Sequence, residues 1–322
     1  MTIGELVSGI KKGDRLALGK ALSIIENEDP GSLELLAGTG DIKTSTWTVG
    51  ITGPPGAGKS TLLDKLIKLI RDDGKSIGVL AVDPTSPFSG GAILGDRIRM
   101  QRHTTDNGVF IRSMASRGSR GGLALHSREA ACLMRAFGFD YLFIETVGTG
   151  QLELDVMSAS DTCIVLQTPG SGDDIQMIKA GILEIGDIYV VNRADHECAV
   201  EFASALSNDL ESRPLRDGWH PPVMLTAAID GTGVPAVLHA IEEHKKHLLS
   251  LPDRKEKEER KLEEELLRIM MMTIESRLKK TLPGRVEYKE IMDKLASCDI
   301  DPYSASEILT DLILKEEFNE PA

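Results

Sequence analysis

The apolar positions of this chain change period twice, and those changes divide it. From residue 1 to about 45 they recur at helical spacing: Ile3, Leu6, Val7 and Ile10, then Leu16, Leu18, Ala21, Leu22 and Ile25. Glu28-Asp29-Pro30-Gly31 punctuates that stretch. Short unbroken apolar runs then take over: Trp47–Thr52, Ile77–Val82, Val109–Arg112, Tyr141–Glu145, Thr162–Gln167, Ile188–Asn192 and Val223–Thr226. Runs without polar alternation suit strands covered on both faces of a parallel sheet. Helical patterns lie between them, at Ser60–Asp73, Gly122–Phe137, Asp174–Glu184, Ala199–Glu211 and Pro235–Leu249. This alternation predicts an α/β fold, a doubly wound and mostly parallel sheet. Past Leu249 no strand run occurs. Pro252 precedes the charge run DRKEKEERKLEEE, behind which Leu262, Leu266, Ile269, Met270, Ile274 and Leu278 return to helical spacing. The run is either a solvated helix face or a projecting arm for self-association. Two more helices are expected near Val286–Leu295 and Ser304–Lys315, separated by Pro302. The expected organisation is an N-terminal helical extension at 1–45, an α/β domain at 46–248 and a C-terminal helical arm at 249–322.

Composition narrows the class. The chain carries 37 basic and 50 acidic residues, a net charge of −13. A balance so acidic argues against a nucleic-acid coat, which needs a basic surface, while leaving room for one small phosphate pocket. No apolar run reaches the roughly 18 residues that span a bilayer. The start, MTIGELVSGIKKGDRLALGK, is amphipathic and lacks a signal-peptide core. A cytoplasmic protein without membrane attachment is expected. Cys132, Cys163, Cys198 and Cys298 are far apart and form no C-x-x-C. They are expected to be reduced core residues, neither a disulfide frame nor a zinc site.

The strongest chemical signal is Gly53-Pro54-Pro55-Gly56-Ala57-Gly58-Lys59-Ser60, which fits G-x-x-x-x-G-K-[ST]. It follows the strand run TWTVGIT and precedes STLLDKLIKLI, where Thr61 continues the helix start. The glycines let successive backbone N–H groups turn inward on a phosphate chain, and the helix N-terminus adds partial positive charge. Lys59 would reach the outer phosphates and Ser60 would place a hydroxyl on Mg²⁺. A chance match somewhere in such a chain has odds of about one in a hundred before the strand and helix are required. The loop implies a P-loop NTPase without choosing between ATP and GTP.

Carboxylates supply the next layer. Asp83 ends IGVLAVD and Glu145 ends YLFIE. In doubly wound sheets the carboxyl ends of strands face the ligand, so both point towards the phosphate loop, placed to hold Mg²⁺ or the attacking water. Glu145-Thr146-Val147-Gly148 has the form acid-x-x-Gly, in which the Gly148 amide can sense the outermost phosphate. Asp96, in GGAILGDRIRM, is a third candidate for the metal or the water. A single acid at a strand end is usually a helix cap or solvated residue, but two beside a phosphate loop favour the metal role for both, and the alternative for Asp96 is an exposed loop charge.

The base is addressed by Asn192-Arg193-Ala194-Asp195, closing IYVVN, which resembles the guanine-reading N-K-x-D element with Arg for Lys. Asp195 can accept from guanine's N1–H and exocyclic amine, a pair adenine does not offer. Asn192 can donate to the ring and hold neighbouring loops, and the Arg193 guanidinium can stack on the base. Thr226-Ala227, after VMLTA's strand, occupies the place of the loop that backs the guanine carbonyl.

Together GITGPPGAGKSTL, LAVDPTSPFSGGAILGDRIRM, FIRSMASRGSRGGLA, FDYLFIETVGTGQLELDV and PGSGDDIQMIKAGILEIGDIYVVNRAD resemble the MeaB/ArgK family. These are GTPases that chaperone adenosylcobalamin-dependent mutases, chiefly methylmalonyl-CoA mutase. The resemblance implies GTP/GDP and Mg²⁺ as ligands, with Lys59 and Ser60 on the phosphates and metal. It implies a metal and water cluster of Asp83, Asp96 and Glu145, and a second switch at Gly148. Asn192 and Asp195 would read guanine. The stretch 170–179 resembles a third switch answering to the mutase, with Lys179 approaching the nucleotide. It also implies homodimerisation through the C-terminal arm. No D-x-H-x-x-G cobalamin element is present, so the cofactor is assigned to the partner. With no arginine finger assignable, slow intrinsic turnover is expected. The rival readings are a small-molecule P-loop kinase or ATPase, as in the family's older transport-linked description, and a metal-delivery or targeting GTPase.

Overall fold

In a computed structural model the described residues are 1–27, 29–40, 45–84, 103, 105–116, 122–146, 160–169 and 184–317. All but the last residue of the expected helix Asp174–Glu184, and the candidates Asp96, Gly148 and Lys179, lie outside them. The chain divides into two compact units, Met1–Leu251 and Pro252–Ala322.

The first unit is built on seven strands: β1 (Trp47–Thr52), β2 (Ile77–Pro84), β3 (Val109–Ser116), β4 (Tyr141–Thr146), β5 (Thr162–Gln167), β6 (Ile188–Asn192) and β7 (Val223–Thr226). They form one sheet in the order β3-β2-β4-β1-β5-β6-β7, and every pairing is parallel. The strand that leads into the phosphate loop is therefore central, with β4 and β5 on its two sides. Helices α1 (Ile3–Lys11), α2 (Arg15–Glu26), α3 (Ser32–Thr39), α4 (Lys59–Asp72), α5 (Gly122–Phe137), α6 (Ala199–Glu211) and α7 (Val234–Ser250) accompany it. Alternate strand residues divide the core between two faces. Val49, Ile51, Tyr141, Phe143 and Ile164 pack under α4 and α7. Leu142, Ile144, Val165 and Val191 pack under α5 and α6, and the α1–α2 side chains join the same cluster. With both faces covered, the unbroken apolar runs of the sequence are explained. The edge strand β3 is closed off by Arg15, whose guanidinium donates to Asn107 O and Val109 O, each at 2.6 Å.

The N-terminal stripe is three helices. Gly13 (φ 76°) turns the chain, and Asp14 Oδ1 accepts from Leu16 N at 2.9 Å to open α2. Asp140 meanwhile ties two strand beginnings together, accepting from Ser76 N and Ser76 Oγ at 2.7 Å each.

In the second unit, α8 (Arg254–Thr281) runs for 28 residues, a 3₁₀ turn follows at Leu282–Gly284, and then come α9 (Val286–Ala296) and α10 (Pro302–Glu317). Pro302 starts α10 where the sequence pattern had placed it between helices. Asp301 Oδ1 caps Tyr303 N and Ser304 N at 2.9 and 3.1 Å, and proline suits the first helical turn, where no donor is needed. Among the described residues of this unit, only Ile291 and Ala305 are buried apolar side chains. No described helix is long and apolar enough to cross a membrane.

The cysteines depart from expectation. All four are free thiols, but only Cys163 is in the core; Cys132, Cys198 and Cys298 are exposed. They fall on the solvent side of their helices or in turns, where a small side chain meets no packing demand. Burial pushes the Cys163 thiol far up, so it is an inert core group.

Candidate nucleotide site

The phosphate loop leaves β1 at Gly53, and its shape is enforced by what surrounds it. A Cβ on Gly53 (φ 139°) would lie 2.2 Å from Leu166 O, and one on Gly58 (φ 97°) would lie 2.3 Å from Asn192 Nδ2. Only glycine fits either position. Pro54, Pro55, Gly56 and Ala57 complete the turn, closed by Ala57 N donating to Pro54 O at 3.2 Å. Helix α4 then begins at Lys59 with Ser60 and Thr61, so its first N–H groups and partial positive charge point into the crevice at the carboxyl end of the sheet.

Two side chains at that helix start are buried. Lys59 Nζ donates to Gly53 O at 2.7 Å and Pro54 O at 2.9 Å, folding the cation over the loop. Ser60 Oγ donates to Glu145 Oε1 at 2.6 Å. Glu145 sits at the end of β4, with Ile51 as its neighbour in register, and is 4% exposed. A hydroxyl and a carboxylate this close are hard oxygen donors, the set Mg²⁺ takes, so these residues fit that ion. Asp83 stands near the end of β2, one residue past the Val82–Thr146 pairing with β4, which places it at the same edge.

The base-reading loops meet the phosphate loop through one carboxamide. Asn192, 6% exposed at the end of β6, donates from Nδ2 to Ala57 O at 2.7 Å. Its Oδ1 accepts from Thr226 Oγ1 at 3.1 Å and Ala228 N at 3.0 Å. Three loops, after β1, β6 and β7, are thus tied at a single side chain. Arg193 follows in left-handed backbone (φ 59°), and its Nη2 donates to Gly56 O at 3.3 Å. Ala194 N donates to Thr226 O at 2.9 Å, and Ala227 N to Thr232 O at 3.0 Å, which fixes the turn beyond β7. Asp195 is exposed on that turn.

The sequence pattern missed what holds α4 against the β2–β3 connection. Asp64, one turn after Ser60, pairs with His103 Nε2 at 2.9 Å, both largely buried. Two turns on, Arg71 grips both oxygens of Asp106, from Nε at 2.8 Å and Nη2 at 2.9 Å. Those hydrogen bonds, followed by one from Gly108 N, hold the Asp106 carboxyl below its ordinary range. The available signal was Asp64 itself, a carboxylate inside the apolar stripe Leu63, Leu66, Ile67 and Ile70.

Fold and site define a P-loop NTPase, with a phosphate loop at the centre of a parallel sheet and a base-reading pair of loops laced to it. The comparisons with known proteins narrow this to one family. Residues 18–282 match the family model of the methylmalonyl-CoA mutase-associated GTPase MeaB. A putative GTPase of Pyrococcus abyssi is 48% identical over 98% of this chain and 96% of its own. The GTPase ArgK of Escherichia coli K12 is 37% identical over 76% of each chain. Among solved structures, a LAO/AO transport system kinase superposes with a TM-score of 0.71 at 26% identity, covering 97% of this chain and 98% of its own. The chain belongs to the MeaB family of GTPases, and guanine nucleotide binding comes with that membership.

Proposed function

We propose that this protein is a slow, Mg²⁺-dependent GTPase working as a two-state switch for an adenosylcobalamin-dependent acyl-CoA mutase of the methylmalonyl-CoA type, gating cofactor loading or protecting the mutase. It works in the cytoplasm as a homodimer through the 249–322 arm. Residues 1–45, 46–248 and 249–322 serve as extension, GTPase domain and dimerisation arm. The observation that carries the reading is the Asn192 carboxamide, which joins the phosphate loop to both base loops. Such a link makes base recognition and phosphate alignment one event.

In this reading the amides of Gly53–Gly58 and the Lys59 ammonium take the phosphates, Lys59 leaving its carbonyl partners to do so. Ser60 and Glu145 hold the cation together with Asp83 and Asp96, and the cation supplies neutralisation of the developing phosphate charge. Asp96 and Glu145 orient the attacking water. Gly148 senses the γ-phosphate, the 170–179 stretch answers to the partner, and Lys179 approaches the nucleotide. Asn192 and Asp195 select guanine, Arg193 stacks on it, and Thr226 and Ala227 back it. Hydrolysis releases the phosphate contacts, and the mutase reads the difference.

The test is GTP turnover with and without a cobalamin-dependent mutase. Slow basal hydrolysis that the mutase changes, and that Lys59→Ala removes, is the expected result. No hydrolysis under either condition would refute the reading. Phosphate transfer from ATP to a small acceptor would establish the kinase alternative instead.

A further inference from the structure

The chain holds five asparagines, and one of them, Asn107, precedes a glycine. An Asn-Gly step is a chemically weak point. With no Cβ on the second residue, its backbone nitrogen can approach the side-chain carbonyl carbon of the first and displace ammonia. Asn107 and Gly108 are the central residues of a tight turn before β3, closed by Val109 N donating to Asp106 O at 3.1 Å. Asn107 is exposed there.

Packing retains the glycine. A Cβ at 108 would lie 2.1 Å from Arg71 Cζ. That guanidinium is fixed, because it grips Asp106 and donates from Nη1 to Lys75 O at 2.6 Å. The same cluster guards the attacking nitrogen. Gly108 N donates to Asp106 Oδ1 at 2.7 Å. Attack requires that nitrogen to lose its proton beside a carboxylate that Arg71 keeps ionised. Giving up a hydrogen bond to a charged group makes this deprotonation at least about tenfold rarer. On its other side the turn is spanned by Arg15. Its Nη1 donates to Asn107 O and its Nη2 to Val109 O, a fork that ties the start of α2 to β3.

We propose that Asn107 is a site of spontaneous deamidation, that the Asp106 carboxylate slows the reaction in the folded chain, and that its isoaspartyl product loosens the tie between α2 and β3. Gly108 N bonds to Asn107 Cγ as the Cγ–Nδ2 bond breaks, and the Gly108 proton leaves with the amide as ammonia. Water then opens the cyclic imide. Cleavage of the new Cγ–N bond gives aspartate; cleavage of the original backbone C–N bond gives isoaspartate. In isoaspartate the backbone runs through Cβ and Cγ and is one carbon longer, and the carbonyl that accepted from Arg15 becomes a carboxylate on a branch. The fork was fitted to two carbonyls of a native turn, so it no longer spans both.

Peptide mapping of the full chain by mass spectrometry follows amide-to-acid exchange at each asparagine during storage at neutral pH. In urea, Asn107 should convert faster than Asn27, Asn192, Asn208 and Asn319; conversion no faster than theirs overturns the site. In the folded chain Asn107 should convert at least about tenfold more slowly than in urea, and Asp106→Ala should remove most of that protection. Asp106→Asn, which keeps an acceptor without the charge, should fall between them and serves if the alanine variant does not fold. Rates equal to folded wild type in the folded variants overturn the protective role of Asp106. The isoaspartyl fraction, separated by ion exchange, should unfold at lower urea than the unmodified chain, while Asn107→Asp, with the added charge on a native backbone, should shift less. An unshifted isoaspartyl fraction, or an equal loss in Asn107→Asp, overturns the loosening.

Discussion

Replacing Asn192 by Ala removes one side chain and unfastens three loops. Its carboxamide makes three hydrogen bonds, to Ala57 O, Thr226 Oγ1 and Ala228 N, at 2.7, 3.1 and 3.0 Å. A net worth of about 1 kcal/mol each gives about 3 kcal/mol, and stranding the buried partners does not lower that figure. At a urea dependence of about 3 kcal/mol/M, the unfolding midpoint should fall by about 1 M. Tryptophan fluorescence is a selective probe. The chain has two tryptophans, both in the first unit. Trp47 Nε1 donates to Thr162 Oγ1 at 2.9 Å, Thr162 Oγ1 bonds His244 Nδ1 at 2.9 Å, and the Trp219 ring lies 4.8 Å from that of His244. Both tryptophans therefore report the base of the sheet, far from the carboxyl-end loops. GDP affinity should fall at least about 30-fold in the same variant, because phosphate loop and base loops are no longer aligned. A midpoint shift below about 0.2 M, or unchanged GDP affinity, would refute the reasoning that this residue couples the loops.

Two further outcomes follow from local chemistry. Arg193→Gly relieves a left-handed backbone, worth about 1 kcal/mol, so the urea midpoint should rise slightly while GDP affinity falls about tenfold; affinity unchanged would mean the guanidinium does not stack on the base. Asp106 titrates below its ordinary 3.8 because of Arg71, so its contribution is present above that value and lost as pH falls through the lowered folded value. Asp106→Asn should be less stable than wild type at pH about 6, with the difference shrinking below pH about 3.8, and a gap constant with pH would contradict the Arg71 pairing.

Much of the fold was legible because it is written in local periods. The seven apolar runs are the seven strands, since strands covered on both sides need no alternation. The phosphate loop was legible because its glycines answer close backbone approaches, Gly53 to Leu166 O above all. The three-way role of Asn192 was only half visible, as a side chain that holds neighbouring loops. Its partners come from loops 135 and about 35 residues away, and no spacing encodes them. Exposure of Cys132, Cys198 and Cys298 was misjudged because residue type predicts burial only on average. Pro302 was misread because the same residue ends one helix pattern or opens the next, and Asp301 before it decides which. The Asp64–His103 and Arg71–Asp106 pairs were overlooked because each joins α4 to a connection with no pattern of its own.

The central claim is that this crevice selects guanine through Asp195. The direct measurement is competition of GDP, ADP and xanthosine diphosphate against a fluorescent GDP, on wild type and Asp195→Asn. Xanthine carries a carbonyl where guanine carries its amine, so a donor at 195 should suit it as the carboxylate suits guanine. The account predicts GDP favoured at least about 100-fold in wild type and xanthosine diphosphate favoured in the variant. Equal displacement by ADP in wild type, or an unchanged order in Asp195→Asn, would contradict it.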